Sequence, residues 1–322
     1  MKRTPRALFT LLATAGFMVA ALLLVLSGSM GVALAANASS SGMVHMTKTR
    51  QAAGPSKFAR TSNLTYHNGP TMRTTSTTYA IFWEPPTLQN GAATSVSSTY
   101  NSLIERYFSD VGGSGLYNNN TQYYDTTGNI VNSSTLGGVY VDTSAYPASG
   151  CNDSVTPGNC VSDAQVQAEV SKAMSVNGWT ASLTHLFFVF TSKGEGSCVS
   201  GYCSFSYFCA YHSNFGNNIL YANMPYAGTD LSACGVSTSP NNDFDADSTI
   251  NVTSHEHMEA VTDPLGTAWY DRSGNEIGDK CAWNFGSVTL DGNKANVQWN
   301  GDYYIVQQEW DNHVSGCVLT GP

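Results

Sequence analysis

Hydrophobic and polar positions alternate along this chain with two distinct periods, and the places where one gives way to the other mark its elements. Thr78 to Trp83 is β-branched and aromatic and runs into Pro85-Pro86, which predicts a buried strand. Val96, Tyr100, Leu103, Ile104, Tyr107 and Phe108 then recur at helical spacing until Gly112-Gly113. Ser162 and Gln165 have the spacing of a capping box, and Val166, Val170, Ala173 and Met174 continue one apolar face to Gly178. Leu186–Phe190 predicts a central strand, and Ile219–Met224 another that stops at Pro225. After Asp247, taken as an N-cap, Ser248–Thr262 contains no helix breaker and meets Pro264 just past its end. Val288–Leu290 and Ala295–Trp299 flank Asp291-Gly292 as an expected hairpin. The class expected is α+β: a mixed sheet with packed helices and a β-rich C-terminal part.

The two ends of the pattern differ from the middle. Lys2, Arg3 and Arg6 precede an apolar run from Ala7 to Leu26, and Ala33-Leu34-Ala35 follows, the order of a cleavable signal peptide over residues 1–35. Residues 36–62 hold Gly54-Pro55 and no sustained apolar period, and read as a flexible linker. From 63 to 322 the composition is that of a single domain. No later segment is long and apolar enough for a membrane anchor.

Charge and cysteines narrow the class. Without the three basic residues of the leader, 11 of the 14 Lys and Arg would face all 23 Asp and Glu, a formal −12 that excludes nucleic acid as a natural partner. Eight cysteines, Cys151, Cys160, Cys198, Cys203, Cys209, Cys234, Cys281 and Cys317, lie beyond the leader, and an even number in an exported chain implies four disulfides. Cys151 with Cys160 and Cys281 with Cys317 are the pairings expected. Secreted and extracellular is the location that follows. Asn63, Asn119, Asn132, Asn152 and Asn251 head N-x-S/T sequons.

The chemistry concentrates in Ser254 to Pro264. His255 and Glu259 stand four apart, on one helix face, close enough to grip a single ion. In the zinc-protease helix H-E-x-x-H the same spacing supplies two ligands, and the Glu after the first His is the general base. Here Glu259 takes the place of the second His, and Glu256 is the expected catalytic base. A carboxylate is an acceptable zinc ligand, so zinc is the ion expected, with calcium the alternative. Asp263, Asp271, Glu276 and Asp279 downstream and His212 upstream offer further ligands. Glu276 is the first choice, and Asn275 to Asp279 resembles the Glu-bearing segment of thermolysin-like enzymes, with Gly278 arguing against a helix there. His257 points away and is expected to be structural. Asp243, Asp245 and Asp247 lack the Gly and Glu of an EF-hand and read as an acidic cap on the helix. No G-x-S-x-G elbow surrounds Ser254.

Leu64 to Pro70, the strand ending at Trp83, Cys209 to His212, the helix motif with Ala268-Trp269-Tyr270, Glu276 to Cys281 and Gln308 to Asn312 with Cys317 together resemble the phosphate-induced, EXORDIUM-like family of secreted proteins. The resemblance spans most of residues 64–320. It implies an extracellular or cell-wall protein without an established activity, here with a zincin-like helix that some relatives lack. Two functions follow: a secreted metallopeptidase-like zinc hydrolase acting on peptides or proteins, or a non-catalytic module for cell-envelope glycan or protein. If the leader is read correctly, terminal sequencing of secreted protein finds Ala36 at or near the start; secreted material beginning at Met1 contradicts it.

Overall fold

The three strands expected to be buried carry apolar residues on both faces, so something must cover both sides of their sheet. In a computed structural model that describes residues 42–53, 62–290 and 292–322, all within the unit Ser39–Pro322, both sides are indeed covered. The principal elements are β1 (His45–Lys48), β2 (Ser76–Trp83), α1 (Tyr100–Asp110), β3 (Ser134–Asp142), α2 (Asp163–Asn177), β4 (His185–Thr191), β5 (Phe208–Phe215), β6 (Ile219–Met224) and α3 (Phe244–Thr262). The six strands form one mixed sheet in the order β1-β5-β6-β4-β2-β3. β6, β4, β2 and β3 run parallel, β5 is antiparallel to β6, and β1 is antiparallel to β5. Ala80, Phe82, Phe188 and Phe190 face α1 and α3 on one side, whereas Tyr79, Ile81, Phe187 and Val189 pack with Val166 and Val170 of α2 on the other. The chain is therefore a disulfide-stabilised α+β domain.

Most sequence signals mark true elements, with shifted boundaries. The Ser162–Gln165 capping box opens α2, and Gly178 closes it at φ 68°, a left-handed conformation that glycine adopts freely. Helix α3 begins at Phe244 rather than Ser248. Asp243, not Asp247, is its N-cap: its carboxylate accepts from the Ala246 N–H and from the hydroxyls of Ser97 and Thr99. Asp247 instead accepts from Ser239 and Asn241 and pins the preceding loop. Of the three acidic residues only Asp243 caps the helix, and Asp245 pairs with Lys193. Around the expected hairpin only a Leu290–Ala295 bridge forms, and the regular ladder lies one turn later, between Val297–Trp299 and Asp302–Tyr304.

One reading is corrected. Residues 36–62 are not simply a linker, because within them His45–Lys48 is a strand of the main sheet and Arg50–Ala53 a helical turn. Four residues are too few to show a period, and their stability comes from pairing with β5. Asn119 and Asn251 are fully buried, which leaves no room for a glycan on either in the folded protein. The leader lies outside the described residues. None of the described helices is long and apolar enough to cross a membrane.

Four disulfides close the structure: Cys151–Cys160, Cys198–Cys203, Cys209–Cys234 and Cys281–Cys317. The last spans 36 residues and the second only 5. Chain entropy assigns the longer loop about 4 kcal/mol and the shorter about 2 kcal/mol. Replacing Cys281 and Cys317 by Ser should therefore lower unfolding free energy about twice as much as replacing Cys198 and Cys203. Equal losses in denaturant titrations would contradict this ordering.

Candidate metal centre

α3 is an unusual helix for a protein interior: every residue from Ala246 to Thr262 is buried, although many are polar. Most of the polar groups find local partners. Thr249, Thr253 and Thr262 return their hydroxyls to the helix carbonyls four residues back. Asn251 accepts from the Gln307 N–H, and Ser248 from the Val236 N–H. His257 is enclosed by the rings of Tyr107, Phe108, Tyr117 and Phe188, and burial lowers its pKa to about 3, so it is a neutral core residue on the face turned from the others. What remains is His255, Glu256 and Glu259, fully buried and turned toward β5 and the C-terminal loops.

Three elements surround them. From β5 comes His212, whose Nδ1 lies 2.9 Å from Glu256 Oε2 and 3.8 Å from Glu259 Oε2. From β1 comes His45, paired in register with His212 and stacked on it at 5.1 Å between centroids. From the segment after α3 come Glu276 and Asp279. Glu276 Oε2 is 2.6 Å from His45 Nδ1 and 3.8 Å from His212 Nε2. The Asp279 N–H donates to Glu259 Oε1 at 2.9 Å, and its own carboxylate accepts from the Glu276 N–H. Behind the site, the Gln307 amide meets His255 Nδ1 at 2.7 Å and donates to the Gly278 carbonyl, fixing the plane of the imidazole. Gly278 has to be glycine for space: a Cβ there would stand 2.8 Å from His255 Nδ1.

The donor atoms crowd without satisfying one another. His255 Nε2 and Glu259 Oε1 are 3.0 Å apart, yet His255 Nε2 has no aligned hydrogen bond. The same is true of Glu276 Oε2 despite its 2.6 Å approach to His45. Further orphans are His45 Nε2, His212 Nε2, Glu259 Oε2, Glu276 Oε1 and both oxygens of Glu309. A buried polar atom without a partner is costly, and several of them converge on this one place. Ligands at about 2.1 Å from a tetrahedral ion lie about 3.4 Å apart, the spacing these contacts approximate. Three overlapping sets could hold an ion: His255, Glu259 and Asp279; His212, Glu256 and Glu259; and His45, His212 and Glu276. Of the residues singled out in the sequence, His255, Glu259 and Asp279 share one set, Glu256 joins them through Glu259, and Glu276 stands with the two other histidines.

Electrostatics point the same way. Burial pushes Glu276 well above the ordinary carboxylate range, with the charges of Glu259, Asp263, Asp279 and Glu256 adding to it. Asp279 is pushed up to about 7 by burial and then by Glu259. Burial also holds Glu309 far up. Burial opposes a charge on His255, but Glu259, in contact, and then Glu256 and Asp279 outweigh it and raise the imidazole well above its usual value. Crowded buried carboxylates repel one another and share these upward shifts, whereas Glu259, beside His255, is held below its ordinary value.

The other sequence candidates do different work. Asp263 accepts from Thr267 and Ala268 N–H and closes the helix end, and Asp271 organises the turn at Ser273 and Asn275. Sequence reasoning missed His45, Gln307 and Glu309. The alternation of Val44 and Met46 with His45 and Thr47 was the one available signal for the first. No protein-family model matches the chain, no curated protein matches it, and no solved structure matches it.

Gly278→Ala tests the packing of the site: the methyl group must displace the fully buried His255 ring, at a cost of about 1–3 kcal/mol. Denaturant unfolding should show that loss, and unchanged stability would mean that the ring is not held where the geometry puts it.

Proposed function

We propose that this protein is a secreted, zinc-dependent hydrolase of the metallopeptidase type. His255, Glu259 and Asp279 would hold the ion, with Glu276 beside them. The observation that carries the reading is the set of fully buried, unpartnered donor atoms around Glu259. The donors are imidazole and carboxylate only, and all eight cysteines are in disulfides, a combination that suits zinc and leaves calcium as the harder-ligand alternative. When bound, the ion would supply Lewis-acid activation of a carbonyl. Glu256 follows His255 in the helix and is oriented by His212 at 2.9 Å, so it is placed to take a proton from an attacking water and return it to the leaving nitrogen. The burial of the centre keeps bulk water from that exchange.

A second reading has one observation in its favour. Both oxygens of Glu256 are already occupied, by His212 and by Thr47, as they would be in a non-catalytic cell-envelope module with a structural ion. The resemblance to EXORDIUM-like proteins supports that alternative.

Elemental analysis separates these readings from a metal-free protein. About one zinc per chain is expected, His255→Ala should lose it, and Glu256→Gln should keep it. Chelation should lower the melting temperature, because only the folded state holds the ion. After cleavage of the chain between Ala53 and Ser62, turnover of a peptide library should fall 10²- to 10⁴-fold in Glu256→Gln. Metal without turnover in the cleaved parent favours the module. Absence of metal from the parent ends both metal readings.

A further inference from the structure

The strand that covers the centre is the one taken for a linker, and its contacts are unlike those of an ordinary edge strand. β1 lies antiparallel on β5 with His45 opposite His212, Met46 opposite Tyr211 and Thr47 opposite Ala210, and the register breaks at Lys48. Residues two apart share a face, so His45 and Thr47 both turn toward α3 while Val44 and Met46 pack on the opposite side of the sheet. On the α3 side, the Thr47 N–H donates to Glu256 Oε1 at 3.1 Å and its hydroxyl to the same oxygen at 2.6 Å. His212 holds the other oxygen. The carboxylate assigned as general base therefore has no free approach for water while Thr47 is in place. His45 presses equally on Glu276, and Gly266, at φ 67°, leaves the space against which its ring sits.

Remove β1 and the outermost strand is β5, eight residues long with the metal-centre helix beneath it. An exposed edge of that length is a template for an extended peptide, which main-chain hydrogen bonds would hold and alternate side chains would specify. β1 supplies that pairing from within the chain, and it puts one backbone N–H and one hydroxyl on the carboxylate that would take the proton of the attacking water.

We propose that residues 43–48 are a built-in pseudosubstrate: they occupy, on the β5 edge, the binding site for an extended peptide and hold Glu256 inactive until they are displaced. The inference rests on the hydrolase reading for its activity but not for its binding. The segment is held firmly enough to be specific. Gly42 N–H donates to the Asn214 carbonyl, Ser213 to the Met43 carbonyl, Thr49 N–H to the Tyr207 carbonyl, and Trp283 Nε1 to the Lys48 carbonyl. The Arg50 guanidinium donates to the Gly235 carbonyl and lies over the Trp283 ring at 4.6 Å. These anchors flank the stretch over the centre, and only Thr47 and His45 enter it.

The test uses the full chain with a sequence-specific protease site inserted between Pro55 and Ser56, so that the strand can be cut loose without shortening the domain. The probe is a fluorescent peptide with the sequence of residues 42–53. Nicked protein should bind it, intact protein should not, and an unlabelled extended peptide of unrelated sequence in large excess should compete. Peptidase turnover should rise at least tenfold on nicking and fall again when the 42–53 peptide is added back. In the uncut chain, Thr47→Val, which keeps the shape and removes the hydroxyl, should raise turnover part of the way. If the nicked protein keeps its own segment against excess probe, or sheds it and unfolds without binding any peptide, β1 is an integral strand and the proposal falls. Zinc content measured on the same samples assigns any lack of turnover: exchange of the probe without bound zinc sinks the hydrolase reading and leaves the peptide site standing, whereas bound zinc with no exchange sinks the pseudosubstrate.

Discussion

The burial of His255, Glu256 and Glu259 on a helix enclosed from Ala246 to Thr262 is the constraint on which the rest of this structure depends. Ionised carboxylates taken from water cost several kcal/mol each unless a partner compensates them. Each surrounding element supplies a partial answer: His212 from β5, His45 and Thr47 from β1, the Asp279 N–H from the segment after the helix, and Gln307 from the C-terminal part. Together they still leave orphaned donor atoms on Glu259, Glu276 and His255. On the metal reading proposed above, a cation would complete those atoms.

The same constraint explains why the chain is stapled. The Glu276–Asp279 segment has no regular secondary structure to hold it, only a helical turn from Asp279 to Cys281, and that turn ends in the longest-range disulfide. Lys280 lies over the buried Trp310 ring at 3.9 Å. The carboxylates that reach the centre from outside the helix are thus fixed by a covalent bond and an aromatic contact rather than by hydrogen-bond ladders.

The sequence made the helix and its chemistry legible because the i, i+4 spacing of His255 and Glu259 needs no tertiary information. The buried strands were equally plain, since Thr78–Trp83 and Leu186–Phe190 are too apolar to lie anywhere else. The partners were harder to see. His212 was offered by the sequence only as one possible ligand, on a strand that no pattern picked out, and its register opposite His45 shows its use. His45 and Thr47 sit in a four-residue strand whose stability is wholly borrowed from β5, so their alternation with Val44 and Met46 is too short to announce it. Gln307 and Glu309 depend on a C-terminal loop whose path no periodicity encodes. Asp247 misled because a carboxylate that pins a loop and one that caps a helix look alike until the acceptors are known.

Zinc-edge X-ray absorption of the purified full-length protein tests the central claim most directly, since it reads the atoms around the ion itself. A first shell of nitrogen and oxygen alone at about 2.0–2.2 Å, with an imidazole contribution, and no bound zinc to measure in His255→Ala, is the result predicted. A sulfur shell near 2.3 Å, or no bound metal in the parent protein, would contradict it.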